Sequence, residues 1–139
     1  MRGVFTTESQ RLREIEEKRD PGTPAIIAAA IEVQRLLGPG LLESAYEECL
    51  CHDLGLRTLA FQRQVDLPVS FRGLKLDCGY KIDLIVEAAV ILELKCVARI
   101  HPVHETQLRT HMKLSGKRVG LLINFNVSLL SRGIIRRVF

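Results

Sequence analysis

The eight residues "VILELKCV", positions 90–97, decide how the rest of the chain reads. They alternate with period two, as a strand does. Ile91, Glu93 and Lys95 fall on one face, and Val90, Leu92, Leu94 and Cys96 on the other. One face is wholly apolar. The other turns ionic toward its C-terminal end, where a buried charge is expensive unless it is paired or bound to something.

The run before it behaves alike. In "YKIDLIVE" (80–87) Ile82, Leu84 and Val86 line one face, and Asp83 interrupts the other beside Ile85. Glu87-Ala88 is the predicted turn, and an antiparallel hairpin centred near Ala88 puts Asp83 roughly opposite Glu93. Two carboxylates facing across a ladder repel unless a cation lies between them. That cation would be hard and divalent, Mg²⁺ or Mn²⁺, which take one or two protein carboxylates and complete their shell with water and phosphate oxygens. Lys95, on the same side, would then hold an attacking water or stabilise charge developing on a phosphate. The same three charges would also form a plain salt-bridge network that serves stability alone, and this reading stands beside the chemical one.

Working outward, "FQRQVDLPVSF" (61–71) and "LKLDCGYKIDLIV" (74–86) read as strands, with Arg72-Gly73 as the turn between them. Upstream, Thr23 is the predicted N-cap and Pro24 the first residue of an Ala-rich helix that ends at "GPG", 38–40. A second helix is expected from about Leu42 to Leu54, ending at Gly55. Downstream, "HPVHETQLRTHMKLSG" (101–116) is a helix closed by Gly116, and "RVGLLINFN" (118–126) a continuous buried strand. "GIIRRVF" (133–139) is a last strand or short helix. The expected fold is α/β: a mixed central sheet of about four to five strands flanked by helices, forming one domain over residues 23–139. Residues 1–22 read as a helical appendage, cut off by "DPGTP", with only Leu12 and Ile15 as helix-face apolar positions.

Composition narrows the function. The chain is 47% apolar and 26% charged, as globular domains are. No stretch approaches the roughly 18 apolar residues of a membrane helix, and the N-terminus lacks the apolar core of a secretory signal. A cytoplasmic protein without a membrane partner is expected. Cys49, Cys51, Cys78 and Cys96 include no CxxC pair, so reduced, mostly buried thiols are expected rather than a metal site. The net charge of +4 is unevenly spread: residues 1–96 carry 12 Lys/Arg against 15 Asp/Glu, whereas residues 97–139 carry 8 against 1. A basic third points to a polyanion, nucleic acid first. Aromatic residues are 5% with no Trp, which gives little support to a stacking platform for single strands.

Two helical segments flank the ionic strand with polar stripes. In "GPGLLESAYEECL" (38–50), Glu43 and Tyr46 share a face with Glu47 and Leu50, and Glu43 also suits the positive end of the helix dipole. In the later helix, His104, Gln107 and His111 recur at i, i+3 and i+7, positions from which they would bind phosphate or simply meet solvent.

Taken together these blocks resemble a known family. "GLLESAY" (40–46) resembles the G-x-x-E-x-x-Y signature of the GxxExxY family. "LDCGYKIDLIV", "VILELKCV", "PVHETQL" and "GLLINFN" resemble its other blocks in the same order, from about Pro24 to Phe139. That family is assigned to the PD-(D/E)xK nuclease-like superfamily, which implies a restriction-endonuclease-like core with its site on the central hairpin. By that resemblance Asp83 and Glu93 are metal ligands, Lys95 is the catalytic lysine, and Glu43 joins the metal shell directly or through water. Gln107 resembles the glutamine of a Q-x-x-x-Y motif, in which His111 stands here where tyrosine is customary. Ile82 stands where a proline customarily precedes the aspartate.

The function expected is a Mg²⁺- or Mn²⁺-dependent nuclease acting on nucleic acid, DNA ahead of RNA. Arg109, Lys113, Lys117, Arg118, Arg136 and Arg137 would contact the phosphate backbone without reading sequence. Tyr46, His104 and His111 are auxiliary candidates. The alternative is a catalytically silent module that keeps the fold and binds nucleic acid or protein. A homodimer or larger complex is expected under either view.

Overall fold

Proline and glycine set the helix ends. The computed structural model describes residues 7, 8, 11, 22–77 and 79–139. The appendage expected over 1–22 therefore lies, apart from Thr7, Glu8, Arg11 and Gly22, outside the described residues. Helix α1 spans Thr23–Leu37. Its cap is Gly22 rather than the expected Thr23, because the Gly22 carbonyl accepts the first helical bond, from the Ile26 N–H at 3.0 Å. Gly38, at φ 68°, closes it by donating its N–H to Gln34 O at 2.7 Å.

Helix α2 spans Glu43–Leu56 and runs through Gly55, where the sequence reading stopped it. The left-handed residue that reverses the chain is Thr58, at φ 58°, so the stop falls three residues later. Helix α3 spans Pro102–Ser115, between the cap His101 and left-handed Gly116, as expected. None of these helices is long and apolar enough to cross a membrane.

The strands are β1 (Phe61–Asp66), β2 (Val69–Phe71), β3 (Leu74–Leu76), β4 (Lys81–Val86), β5 (Val90–Lys95), β6 (Val119–Asn124) and β7 (Ile134–Val138). The main sheet has the order β1-β4-β5-β6-β7. It is mixed: only β5 and β6, joined through α3, run parallel. The runs 61–71 and 74–86, each expected to be one strand, are each broken in two. The end of the first run and the start of the second, β2 and β3, leave the sheet as a separate hairpin turning at Arg72-Gly73. The final segment resolves as strand β7, not a helix.

Two cores sandwich the sheet. On one face Ile26, Ala30 and Val33 of α1, with Tyr46, Leu50 and Leu54 of α2, pack on Leu84, Val86, Leu92, Leu94 and Leu121. On the other, Leu108 and Met112 of α3 pack on Ile82, Ile85, Ile91 and Leu122. Gly120 lets α3 approach: a Cβ there would stand 2.6 Å from Met112 Sδ. Ile82 departs from the expected alternation, since it joins Ile85 rather than Leu84 and Val86, and the cause lies one residue on, at Asp83. Cys51 is buried and Cys96 half-buried. Cys49 is exposed, against expectation, because it lies off the buried stripe of α2. Cys78 lies outside the described residues.

Candidate metal and phosphodiester site

The β4–β5 ladder pairs Val86 with Val90, Ile85 with Ile91 and Leu84 with Leu92, and stops there. Continued by one step, this register sets Asp83 against Glu93, as the hairpin reading required. Asp83 fills the opening with its side chain: its Oδ2 accepts the backbone N–H of Leu94 at 2.8 Å. On the other side of β4, the β1 ladder skips the same level. Gln64 stands there at φ 49°, a conformation uncommon for a non-glycine residue. Its Nε2 donates to Glu47 Oε1 at 2.7 Å and reaches Asp83 Oδ1 at 3.5 Å. Interrupted pairing on both sides turns the strand over at Asp83, which is why Ile82 changes face.

Four carboxyl groups share this opening. Burial pushes the Asp83 carboxyl up to about 6; the Leu94 N–H opposes the rise, and the nearby charges of Glu93, Glu43 and Glu47 add to it. Glu43, in the first turn of α2, is exposed at the mouth, yet its carboxyl is held above its ordinary value. Partial desolvation is the main cause, Lys95 opposes it, and Glu47 and Glu93 add to it. Glu93 is 6% exposed and bonds through Oε1 to His111 Nδ1. Glu47, 9% exposed, is neutralised by Arg63 Nη2 at 2.9 Å. The Lys95 ammonium has no hydrogen-bond or ion-pair partner among the described residues. Its charge is felt by Glu43 on one side and by His104 on the other.

Asp83 thus lies within reach of the charges of Glu93 and Glu43, and Glu43 within reach of that of Lys95. The other candidates are distributed around them. Gln107 is exposed on α3 one turn before His111. His104 holds the helix start: its Nδ1 accepts the His101 N–H at 3.0 Å, and desolvation, then the charges of Lys95 and His101, lower its pKa. Tyr46 is fully buried and stacks on Phe125 with centroids 4.6 Å apart. Its hydroxyl donates to Gly38 O at 2.5 Å and accepts from Leu41 N–H at 3.2 Å, so it clamps the loop that delivers Glu43.

The basic residues divide. Arg109 and Lys113 are exposed on α3. Lys117 donates to Ala88 O at 2.8 Å and Arg118 to Phe139 O at 3.1 Å, at the opposite end of the sheet from Lys95. Arg137 pairs with Glu105, and Arg136 beside it on β7 is half-buried. Glu47, Gln64 and Arg63 complete the cluster and were not singled out as site residues from sequence. Glu47 was findable as the i+4 neighbour of Glu43, whereas nothing in the local sequence marks Gln64.

Among the described residues no three His, Cys, Asp or Glu side chains converge closely enough to enclose an ion by themselves. Mg²⁺ and Mn²⁺ do not require that, since one or two carboxylates and several waters suffice. The donor set fits such an ion by its chemistry. It offers hard carboxylate oxygens in an opening where acid outnumbers base, with Asp83 Oδ1 engaged only by the Gln64 amide at 3.5 Å.

A search of the curated proteins and of the solved structures finds no match. The family comparison does: residues 21–138, from the start of α1 to the end of β7, match the model of the PD-(D/E)XK nuclease superfamily. With that match covering nearly all of the folded chain, the protein belongs to the PD-(D/E)XK nuclease superfamily.

Proposed function

We propose that the protein is a nuclease that hydrolyses phosphodiester bonds of nucleic acid with Mg²⁺ or Mn²⁺, DNA ahead of RNA. The observation that carries this reading is Asp83, seated between parted strands with a carboxyl pushed up to about 6 by burial and by the charges of Glu93, Glu43 and Glu47. A fold that tolerates such an acid-rich opening is best explained by a cation that belongs there. Asp83 and Glu93 would hold it, with Glu43 joining directly or through water. When bound, the ion would supply Lewis-acid stabilisation of charge on the phosphate.

The chain's own residues do the rest. The Leu94 N–H fixes one oxygen of Asp83, and His111 fixes one oxygen of Glu93, which leaves the second oxygen of each carboxylate for a cation. Lys95, without an ion-pair partner among the described residues, is free to donate to a phosphate oxygen or to orient the attacking water. Gln107 stands on the same helix as His111, placed to hold the substrate strand. Within the superfamily we assign the chain to the GxxExxY branch. The spacing of Gly40, Glu43 and Tyr46 supports this, because Tyr46 holds the loop from which Glu43 projects. The catalytic domain is 23–139, with 1–22 as an appendage.

One observation favours a second reading, a silent binding module. No three-ligand group converges among the described residues, and His111 already engages Glu93. A cleavage panel of single- and double-stranded DNA and RNA, with Mg²⁺ or Mn²⁺, separates the two. We expect metal-dependent cleavage that falls by at least about a hundredfold in Asp83→Ala and Lys95→Ala. Cleavage that persists in both variants would remove this site assignment. A raised melting temperature in Mg²⁺ without any cleavage would establish the silent module instead.

A further inference from the structure

The β2–β3 hairpin leaves the main sheet and stands opposite α3. Between them runs a groove of about 590 Å³, within the roughly 300–1,000 Å³ of small-ligand sites. Val69, Leu76 and Tyr80 form one wall, and Gln107, Thr110 and His111 contribute to the other. The strand side offers carbon and one aromatic face, while the helix side adds amide, hydroxyl and imidazole to the carbon of Leu114. Tyr80 is 53% exposed, its ring centroid 6.4 Å from that of His111 and tilted by 55°, so its face is not covered by its neighbour.

His111 joins this groove to the carboxylates, since the same imidazole that lines it bonds Glu93. An occupant of the groove would therefore lie one side chain away from a phosphate held at Asp83 and Glu93. The surroundings suit an anionic strand. The hairpin segment 69–76 carries Arg72 and Lys75 and no acid, and both side chains are exposed. Glu105 of α3 is turned away and tied to Arg137.

We propose that this groove receives one unpaired nucleobase of a DNA strand, adjacent to the scissile phosphate, so that single-stranded stretches or frayed ends are the preferred substrates. The proposal rests on the nuclease reading for the position of the phosphate. A base within a duplex is stacked on both faces and paired along its edge, and cannot enter a groove that offers a ring and a hydrogen-bonding rim. The low aromatic content argues against a platform for several bases, and one slot needs only Tyr80. The carbon wall of Val69 and Leu76 accommodates a deoxyribose or a thymine methyl.

Binding, read separately from cleavage, tests this. Fluorescence anisotropy of a labelled oligothymidine and of a labelled duplex of the same length, in EDTA, would be compared for wild type, Tyr80→Ala and Tyr80→Phe. Tyr80→Ala is expected to weaken oligothymidine binding about tenfold, the scale of one stacked base. Tyr80→Phe should retain it, and duplex binding should not change in either variant. Equal losses on both probes, no loss on either, or no binding of oligothymidine by wild type overturns the groove assignment. A larger Tyr80 dependence on oligouridine overturns the choice of DNA. Because no turnover is needed, a wild type that cleaves nothing yet shows the Tyr80 dependence leaves the groove standing and removes only the nuclease reading. Cleavage that ignores Tyr80, with unchanged binding, does the reverse.

Discussion

Asp83 is the residue on which stability and chemistry oppose each other. Its carboxyl is pushed up from an ordinary 3.8 to about 6, first by burial. The folded chain therefore prefers the protonated form. The group's contribution to stability is full below about pH 4 and is lost as pH rises through about 6, amounting to about 3 kcal/mol. Asp83→Asn removes that dependence while an amide oxygen can still accept the Leu94 N–H. In the absence of divalent metal the variant should melt several degrees above wild type at pH 8 and close to it at about pH 3.5, by calorimetry. An equal difference at both pH values would mean that the charge of Asp83 is not what strains the site. Asp83 and Glu93 were legible from period-two alternation and one tight turn, because register follows from those two facts. Gln64 was not. Its φ of 49° arises where two ladders skip the same level, and no local preference of glutamine signals that.

At the scale of elements, α2 is aimed from behind. The Tyr46 hydroxyl bonds Gly38 O and the Leu41 N–H, and its ring lies on Phe125, so the loop before Glu43 is held by the core. Tyr46→Phe keeps the stacking and removes both bonds. It should lower stability by about 1–2 kcal/mol in urea denaturation and reduce cleavage through a looser Glu43. A loss of activity without any loss of stability would instead put Tyr46 in the chemistry. Two close approaches differ in the same spirit. A Cβ on Gly120 would meet the flexible end of Met112, but one on Gly133 would stand 2.3 Å from the backbone oxygen of Asn124. Gly133→Ala should therefore lower the melting temperature more than Gly120→Ala, since the end of a side chain can move aside and backbone cannot. Helix existence and most ends were readable, being written in Pro24, Pro102, Gly38 and Gly116. The escape of β2 and β3 from the sheet was not, because a short strand's alternation does not say which sheet it joins.

For the whole molecule, two cores leave the site at the end of the sheet where β4 and β5 part, with α2 approaching from one layer and α3 from the other. The basic C-terminal third looked like one surface in the sequence, yet the fold spreads it. Arg109 and Lys113 project from α3, while Lys117 and Arg118 brace the far end of the sheet. Charge along a chain says nothing of where crossovers carry it. The Arg109→Ala, Lys113→Ala double variant should reduce the salt dependence of DNA binding by about one to two counterions, and Lys117→Ala should leave it unchanged. The reverse result would move the nucleic-acid track to the opposite end of the molecule. Calorimetric titration of Mn²⁺ at pH 6 tests most directly whether Asp83 and Glu93 bind a divalent cation, as proposed. The account predicts one saturable site in wild type, heat that varies with the buffer because Asp83 releases a proton on binding, and loss of that site in both Asp83→Asn and Glu93→Gln. No binding to wild type, or equal binding to all three proteins, would contradict it.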